Sequence, residues 1–408
     1  MKETPYAGVS ETNELADIIL SRAAEIPDQL RITRAKSSPN LGPRILFFSG
    51  GSALNDISRS LKSYTHNSVH LITPFDSGGS SQVLRKAFNM PAVGDLRSRL
   101  MALADETELG QPDIFRLFTH RFPTDADPDT LNKEFRSIVH GQHPLMQAVS
   151  QPMRSLILTQ IKAFDARRPK DFDLRNASVG NLIVAGGYFA NDFNLEPVLF
   201  IMSKMVAVLG TVRAIVDDNL HIGAKLENGS VILGQRELTG KEVPPLPCPI
   251  QQLFLTNAHN RLPREAVRLP MRNRRLIRKS DVICYAPGSL FSSVIANLLP
   301  LGVGATIAER HVPKVYLPSL GTDPECPGMD LADQLEAILS ALKIDAPEHV
   351  ANPALVSTIL CDETLYTPQI AKRLSRLGVQ CVPTLLHKAE NPHQYDPNKV
   401  CDALISLS

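Results

Sequence analysis

Residues 45–54 read Ile-Leu-Phe-Phe-Ser-Gly-Gly-Ser-Ala-Leu, a short apolar run that ends in a Gly-Gly turn. An apolar run of this length bounded by glycine is typical of a buried strand, and a helical pattern follows the turn. Glycine lets the backbone approach a ligand closely, and the N–H groups at a helix start attract phosphate. Gly50, Gly51 and Ser52 are therefore candidate phosphate contacts, although a turn that serves only packing explains the stretch equally well when it is taken alone.

The same strand-then-helix pattern recurs along the chain. Six further apolar runs rich in β-branched residues are separated by helical patterns: Val69–Thr73, Val212–Val216, Val282–Tyr285, Val315–Leu317, Val356–Leu360 and Val379–Val382. Strands that alternate with helices indicate a mostly parallel sheet with helices on both faces. The sequence therefore predicts a three-layer α/β/α, Rossmann-like fold over residues 44–408, with residues 1–43 as an N-terminal extension.

Three segments depart from this alternation. Residues from about 105 to 173 show helical patterns without a convincing strand, which predicts a helical insertion over one end of the sheet. Its helices are expected at Asp113–His120, Leu131–His140 and Leu145–Asp165. Alternating residues on either side of Asn228-Gly229 predict a β-hairpin, because Asn-Gly supplies the positive φ angles of a tight turn. Within the N-terminal extension, one helix is expected at about Glu11–Ala24, followed by a polar stretch.

Composition narrows the class of protein. The 408 residues carry 43 Lys+Arg and 42 Asp+Glu, a net charge of +1, so no global field favours a polyanion and no nucleic-acid partner is expected. Eight basic residues do cluster between Arg261 and Lys279, but Pro270 interrupts the cluster and no aromatic residue is interleaved for base stacking. A solvated helix before the Val282 strand explains this segment better than an RNA-binding surface.

The cysteines and the apolar segments predict the compartment. Six cysteines are spread singly over the second half of the chain with no CxxC pair, which fits a reducing cytoplasm. The most apolar stretch, Val198–Val216, is interrupted by Lys204 and Arg213, so a buried helix running into a buried strand is expected rather than a membrane span. We expect a cytoplasmic protein with no membrane partner, and a homodimer is the default oligomer by base rate.

Ligands of open parallel sheets bind beyond the carboxyl ends of the strands, so the loops there are the candidate sites. Three further loops combine glycines with polar residues: Pro74-Phe75-Asp76-Ser77-Gly78-Gly79-Ser80-Ser81, Gly94-Asp95-Leu96-Arg97 and Ala286-Pro287-Gly288-Ser289-Leu290-Phe291-Ser292-Ser293. An acid beside glycines and hydroxyls could hold hydrated Mg²⁺ together with an oligophosphate. Ordinary helix capping explains the hydroxyls and Asp95 equally well.

Five segments, taken in order, resemble the family that joins 2-phospho-L-lactate transferase (CofD-like) to the bacterial gluconeogenesis factor. The segments are Gly50-Gly51-Ser52, Asp76-Ser77-Gly78-Gly79-Ser80-Ser81, Gly94-Asp95-Leu96-Arg97, Gly180-Asn181-Leu182 and Pro287-Gly288-Ser289-Leu290-Phe291-Ser292-Ser293. The resemblance covers approximately Arg44–Ala104 and Ala177–Leu342. The residues around Asp76 and Ser289 resemble the gluconeogenesis-factor branch more than the transferase branch.

The resemblance implies a ligand and a role for each motif. The ligand is a nucleoside diphosphate-linked molecule of guanosine or uridine type, accompanied by Mg²⁺. The phosphate and nucleotide contacts would be Gly50, Gly51, Ser52, Gly78, Gly79, Ser80, Asn181, Gly288, Ser289 and Ser292. Asp76 and Asp95 would hold the metal, and Arg97 would neutralise charge at the reacting group.

Two departures from the family pattern point to a divergent subgroup. Phe75 stands beside Asp76 where family members commonly show paired aspartates, and Asp333-Gln334 stands where the gluconeogenesis-factor branch tends to have Asp-His. The first hypothesis is a transferase that moves a phospho-carboxylate group, of the 2-phospholactate or phosphoenolpyruvate type, from the nucleotide donor to a hydroxyl acceptor. The alternative is a regulator of carbon or cell-envelope metabolism that binds a nucleotide sugar without turning it over.

Overall fold

The computed structural model describes residues 23–107, 110–240, 243–257 and 260–408, with the side chain of Ser80 excepted. The helix predicted at about Glu11–Ala24 therefore lies outside the described residues, apart from its last two positions. The strands are β1 (Ile45–Ser49), β2 (Val69–Ile72), β3 (Thr211–Ala214), β4 (His221–Leu226), β5 (Val231–Leu233), β6 (Ile250–Thr256), β7 (Val282–Tyr285), β8 (Lys314–Tyr316), β9 (Thr358–Asp362), β10 (Gln380–Thr384), β11 (His387–Lys388) and β12 (Asn391–Tyr395).

Helices connect most of these strands. They are α1 (Gln29–Ser37), α2 (Asn55–Leu61), α3 (Gly79–Phe88), α4 (Gly94–Ala102), α5 (Pro112–Thr119), α6 (Pro128–Val139), α7 (Pro144–Ala148), α8 (Met153–Arg167), α9 (Val179–Ala190), α10 (Leu195–Met205), α11 (Gln235–Thr239), α12 (Met271–Arg278), α13 (Ala296–Leu298), α14 (Val303–Ala308), α15 (Leu331–Lys343), α16 (Pro368–Arg376) and α17 (Pro397–Ser406). A π-helical segment, Leu290–Ile295, leads directly into α13.

The main sheet confirms the predicted fold class. Its order is β10-β9-β8-β7-β1-β2-β3, and every neighbouring pair is parallel. All seven predicted strands belong to it, and each starts within two residues of its predicted start. The chain runs outward from β1 through β2 to β3 and then returns to place β7 on the other side of β1. The loops after β1 and β7 therefore diverge, which opens a crevice at the carboxyl end of the sheet.

Each face of the sheet has its own core, because alternate residues of a strand point to opposite faces. On β1, Ile45 and Phe47 face α1, α2 and α17, whereas Leu46 and Phe48 face the layer that includes α14, α15 and the π-helical segment. A third core lies at the β2–β3 end, where residues of α3–α10 enclose Ile72. Helices α5 to α8, which occupy the stretch between residues 105 and 173, belong to this core together with α3, α4, α9 and α10.

Two helix predictions need correction. The helix predicted at Leu145–Asp165 is two helices, α7 and α8, because Pro152 lies inside the span and proline removes a backbone donor and clashes in a helix interior. Helix α1 lies in the stretch that was predicted to be polar and without helix. Only Ile32 and Ala35 of α1 are buried, and an apolar face of two residues gives a weak periodic signal.

The small antiparallel sheet contains the predicted hairpin, β4 and β5, and one strand that was missed, β6. The turn differs from the prediction, because only Gly229 has a positive φ, of +84°, while the side chain of Asn228 accepts hydrogen bonds from the N–H and hydroxyl of Ser230. Strand β6 follows the proline-rich connector and carries Gln251 and Gln252, which obscure its apolar pattern.

Only the second half of the basic segment forms the predicted helix: α12 starts after Pro270, and Arg261, Arg264 and Arg268 precede it. Arg272 forms ion pairs with Glu196 and Asp217, and Arg278 pairs with Glu309. Among the described residues, no helix is long and apolar enough to cross a membrane. All six cysteines are free thiols.

The burial of the central strand predicts that alanine substitutions at two leucines differ sharply in their effect on the free energy of unfolding. Leu46 is fully buried in β1, whereas Leu41 is 80% exposed. We expect Leu46→Ala to lower the free energy of unfolding by about 2–5 kcal/mol through lost transfer energy and the cavity left behind. Leu41→Ala is the matched control and should change it by less than about 0.5 kcal/mol. Urea denaturation measures both values, and equal effects would contradict this assignment of the core.

Candidate functional site

The crevice between the loops after β1 and β7 contains a polar cavity of about 410 Å³. Five of the predicted contact residues line it: Gly50, Gly51, Ser52, Gly288 and Ser289. The loop after β8, residues 319–324, and the hairpin formed by β11 and β12 complete the wall. The cavity therefore lies at the topological switch point, which is where ligands bind in sheets of this kind.

The Gly-Gly turn is shaped for close approach of a ligand. A Cβ atom at Gly50 would lie 2.8 Å from Ser293 Oγ and 3.0 Å from Thr73 Oγ1, so only glycine fits without a shift. Gly51 has a φ of +40° with open space around it. Within the described part of the chain, the N–H groups of Ser52 and Ala53 have no protein acceptor. These two N–H groups at the cavity wall can bind an anion.

Helix α4 holds the Gly51 peptide from both sides. Asp95 Oδ2 accepts the Gly51 N–H at 2.7 Å, and the Arg99 guanidinium donates to the Gly51 carbonyl oxygen at 3.3 Å and to the hydroxyl of Ser58. Arg99 is fully buried, and burial lowers its pKa to about 9 although Asp95 acts to raise it. Arg99 was not among the predicted site residues, because its position in the sequence of α4 gave no sign that its side chain turns inward.

A second group of predicted residues gathers around Gly94, outside the cavity lining. A Cβ atom at Gly94 would lie 3.8 Å from Asp76 Oδ2 and 3.9 Å from Asn181 Nδ2. Arg97 Nε donates to Asn181 Oδ1 at 2.8 Å, and Asp76 Oδ1 accepts the Gly78 N–H at 3.0 Å. The predicted residues thus form two groups, and Asp95 connects them through its bond to Gly51.

The arginine of this second group is held in a largely desolvated position. Burial lowers the pKa of Arg97 to about 10, with a further contribution from the neighbouring Arg121, while Asp95 opposes the shift. The position of Asn181 depends on Gly180, because a Cβ atom there would lie 2.4 Å from the carbonyl oxygen of Phe118. The segment Gly180-Asn181-Leu182 therefore lets α9 pack closely against α5 and brings the amide to the guanidinium.

The donor set suits a hard cation only in part. Mg²⁺ takes oxygen ligands and is commonly bound through one or two carboxylates together with waters. Asp76 and Asp95 supply such carboxylates, and each also accepts a backbone N–H. Phe75 is 1% exposed and packs in the core beside the sheet, so the second acid of the family pattern has no counterpart at that position.

The helix start after β7 differs from a phosphate cradle in one respect. Its N–H groups are taken by two carboxylates: Asp323 accepts from Leu290 at 2.7 Å, and Glu325 accepts from Phe291 and Ser292 at 2.9 and 2.8 Å. The Ser292 hydroxyl also donates to Glu325. Gly288 and Ser289 face the cavity, whereas Ser292 is buried behind them.

Glu325 was missed because nothing local marks a residue 33 positions away as a helix cap. It is fully buried, and burial raises its pKa to about 7, with a smaller contribution from Asp323 and an opposing one from the hydrogen bonds of Ser292 and Phe291. Of the remaining predicted contacts, Gly78 and Gly79 begin α3 outside the cavity lining, and Gly79 has a φ of +50°. The side chain of Ser80 is not among the parts of the chain that the structure describes.

One group of possible metal ligands lies in the helical layer and was not predicted. His120, Glu134 and His143 place their ligand atoms within 4.8 Å of one another. However, His143 Nδ1 accepts the N–H of Leu145 at the start of α7, so the neutral ring carries its proton on Nε2, towards Glu134. This arrangement is that of a helix cap with a hydrogen-bonded carboxylate, because a metal at Nε2 would require the opposite tautomer.

An all-parallel sheet covered on both faces, with a polar cavity at its switch point, defines a three-layer Rossmann-like α/β protein. The family is equally plain: the chain belongs to the 2-phospho-L-lactate transferase CofD family, whose model matches residues 45–400. The match includes the helical insertion and nearly all of the C-terminal segment, which the sequence resemblance had left out.

Curated relatives carry a different name from the family model. The gluconeogenesis factor of Halalkalibacterium halodurans is 27% identical over 301 residues, 72% of each chain. That of Listeria monocytogenes is 23% identical over 380 residues, 90% of this chain and 95% of the relative. A Clostridium acetobutylicum protein with a provisional gluconeogenesis-factor name is 29% identical over 298 residues, which are 73% of this chain but only 53% of that protein.

A solved structure has the same fold. The crystal structure of a upf0052 family member from Bacillus halodurans superposes with a TM-score of 0.65 and covers 89% of this chain and 99% of its own. The two chains are 23% identical, so this likeness concerns the fold alone.

The buried Glu325 predicts a defined pH dependence. Its pKa is raised from 4.5 to about 7 in the folded state, so the folded chain binds more protons than the unfolded chain between these values. The contribution of Glu325 to stability is therefore present below about pH 4.5 and is lost as the pH rises through 7. As the pH rises from 5 to 8, we expect the free energy of unfolding of Glu325→Gln to increase by on the order of 2 kcal/mol relative to that of wild type. Urea titrations at several pH values measure this change.

The exposed Glu348 supplies the matched acid-to-amide control. The free energy of unfolding of Glu348→Gln should differ from that of wild type by the same amount at every pH in this range. A constant difference for Glu325→Gln as well would show that Glu325 titrates as an ordinary carboxyl group.

Proposed function

We propose that this chain binds the diphosphate of a nucleoside diphosphate-linked ligand, of uridine or guanosine type, in the switch-point cavity and acts as a regulator of carbon or cell-envelope metabolism. The observation that carries the proposal is the glycine-rich turn at Gly50–Ala53, with two described N–H groups that have no protein acceptor at the wall of a 410 Å³ cavity. The regulatory role rests on the gluconeogenesis-factor name of the relatives.

Two observations favour binding without turnover. Phe75 is part of the core, so the site lacks one of the carboxylates expected for a strict metal requirement. Neither Asp76 nor Asp95 lines the cavity, and the carboxylate of Asp95 is already bonded to the Gly51 N–H. A regulator needs the phosphate contacts, whereas a catalyst must also place a metal and an acceptor hydroxyl at the reacting phosphorus.

A transferase is the second candidate, and the gathering of Asp76, Asp95 and Arg97 around Gly94 favours it. In that reaction the acceptor hydroxyl would attack the phosphorus that bears the carboxylate-containing group. The bond from this phosphorus to the bridging oxygen would break, the nucleoside monophosphate would leave with that oxygen, and the hydroxyl proton would pass to solvent. Mg²⁺ would supply electrostatic stabilisation of the charged oxygens, with Asp76 and Asp95 as the residues that hold it.

A ligand panel tests the proposal. Uridine diphosphate, guanosine diphosphate and their sugar conjugates should raise the melting temperature of the protein without Mg²⁺, since a ligand at 100 times its dissociation constant adds about 2.7 kcal/mol of stability. Uridine and guanosine, which lack the phosphates, are the matched controls and should leave the melting curve unchanged. If no nucleotide shifts the curve, the proposed function fails, and stabilisation that requires Mg²⁺ would favour the transferase.

Asp76 gives a test of the metal. If Mg²⁺ binds at this carboxylate, Asp76→Asn should abolish any part of the nucleotide affinity that depends on Mg²⁺ and leave the metal-free affinity within about twofold, because the amide keeps the shape but loses the charge. Isothermal titration with and without Mg²⁺ measures both affinities. Asp125→Asn, at an exposed position in the helical layer, is the control. An unchanged Mg²⁺ dependence in Asp76→Asn would contradict the metal assignment.

A further inference from the structure

The C-terminal hairpin of β11 and β12, for which no role was predicted from sequence, forms part of the cavity wall. Lys388, His393, Gln394 and Tyr395 of this hairpin line the cavity. Among the described lining residues, Lys388 is the one lysine or arginine. The described cavity lining therefore combines free backbone N–H groups at Ser52 and Ala53 with one full positive charge.

The acidic residues that line the cavity have protein partners, whereas the lysine that lines it has no acidic partner among the described residues. Asp56 forms an ion pair with Arg59, and Asp323 accepts the N–H groups of Leu290 and Glu325. Lys388 has no carboxylate partner within the described chain, and its ammonium contacts only the side-chain oxygen of Gln394, at 3.3 Å. The lining acids are thus already satisfied by the protein, while the lining cation is not.

The hairpin is fixed in place by a buried acid at the end of β9. Asp362 is fully buried and accepts the N–H groups of Leu386 and His387 at 2.8 and 2.9 Å, together with His387 Nδ1 at 3.0 Å. Burial acts to raise the pKa of Asp362, but the hydrogen bonds from Thr364, Leu386 and His387 outweigh it and hold the pKa below its usual value. Lys388 follows directly after this anchored residue, so its backbone is held at the cavity.

Two further hydrogen bonds hold the hairpin, one at each end. The Tyr395 hydroxyl donates to the carbonyl oxygen of Pro318, in the loop after β8, and Lys399 Nζ donates to the carbonyl oxygen of His387 at 2.9 Å. The hairpin is therefore part of the site architecture, and its polar side chains have a defined place relative to the loops after β7 and β8.

We propose that Lys388 is the side-chain cation of the site and binds a phosphate group of the ligand that the Gly50–Ala53 turn does not hold. This inference rests on the proposed function, because it assigns a residue to the same diphosphate. An ammonium bonded to phosphate forms a charge-assisted hydrogen bond, which is about twice as strong as a neutral one. The ligand class it selects is one with at least two adjacent phosphates, rather than a monophosphate or a nucleoside.

Isothermal titration of the full chain with uridine diphosphate, guanosine diphosphate and inorganic diphosphate tests the inference. Lys388→Gln should weaken binding of each ligand that wild type binds by about 10-fold or more, since hydrogen bonds to charged groups contribute about 1.5–3 kcal/mol. Lys388→Arg keeps the charge and should stay within about threefold of wild type. Lys162→Gln removes the same charge from an exposed position on α8 and should have no more than a twofold effect. Unchanged melting temperatures establish that the variants are folded.

The outcomes separate the two proposals. If the nucleotides bind wild type and Lys388→Gln equally well, this inference is wrong and the proposed function stands. If wild type binds inorganic diphosphate but neither nucleotide, and Lys388→Gln loses that binding, Lys388 is confirmed as the phosphate contact while the nucleotide assignment fails. If wild type binds none of the three, this inference is overturned, and the proposed function falls with it when the sugar conjugates also leave the melting curve unchanged.

Discussion

The parallel hydrogen-bonded ladders on both sides of β1 constrain the rest of the structure. Phe47 of β1 is in register with His70 of β2 on one side and with Cys284 of β7 on the other. Because both neighbours are parallel to β1, each must be reached by a crossover connection, and helices cover both faces as a result. The reversal of strand order at β1 also opens the crevice, so a single pairing arrangement determines both the core and the place of the cavity.

Much of this architecture could be predicted from local sequence, and the reason is physical. A strand buried on both faces must be apolar throughout, so runs such as Ile45–Phe48 and Val282–Tyr285 are visible without knowledge of their partners. Elements stabilised by few or polar residues gave no such signal. Helix α1 buries only Ile32 and Ala35, and the consecutive exposed residues Gln251 and Gln252 interrupt the apolar run of β6, so both were missed.

In the candidate site, too, some residues could be predicted from local sequence and others could not. Glycines and hydroxyls after strands marked Gly50, Gly51, Ser52, Gly288 and Ser289, and these residues do line one cavity. The groups that organise the cavity act over long sequence separations: Glu325 caps the helix that begins at Leu290, Arg99 bonds to Gly51, and Asp362 anchors the hairpin that carries Lys388. A contact between distant positions leaves no periodic pattern, so these residues could be identified only from the folded chain.

The two hydrogen bonds from α4 to the backbone of Gly51 have an evolutionary consequence. Asp95 and Arg99 lie four positions apart on one helix and act on the N–H and the carbonyl of the same residue, and Arg99 is a buried cation for which Asp95 is the favourable charge. Loss of the acid alone would leave the buried cation without its compensating charge, and such groups are expensive to keep. Within the family these two positions should therefore change together or not at all, so that they are inherited as one unit with the glycine they hold.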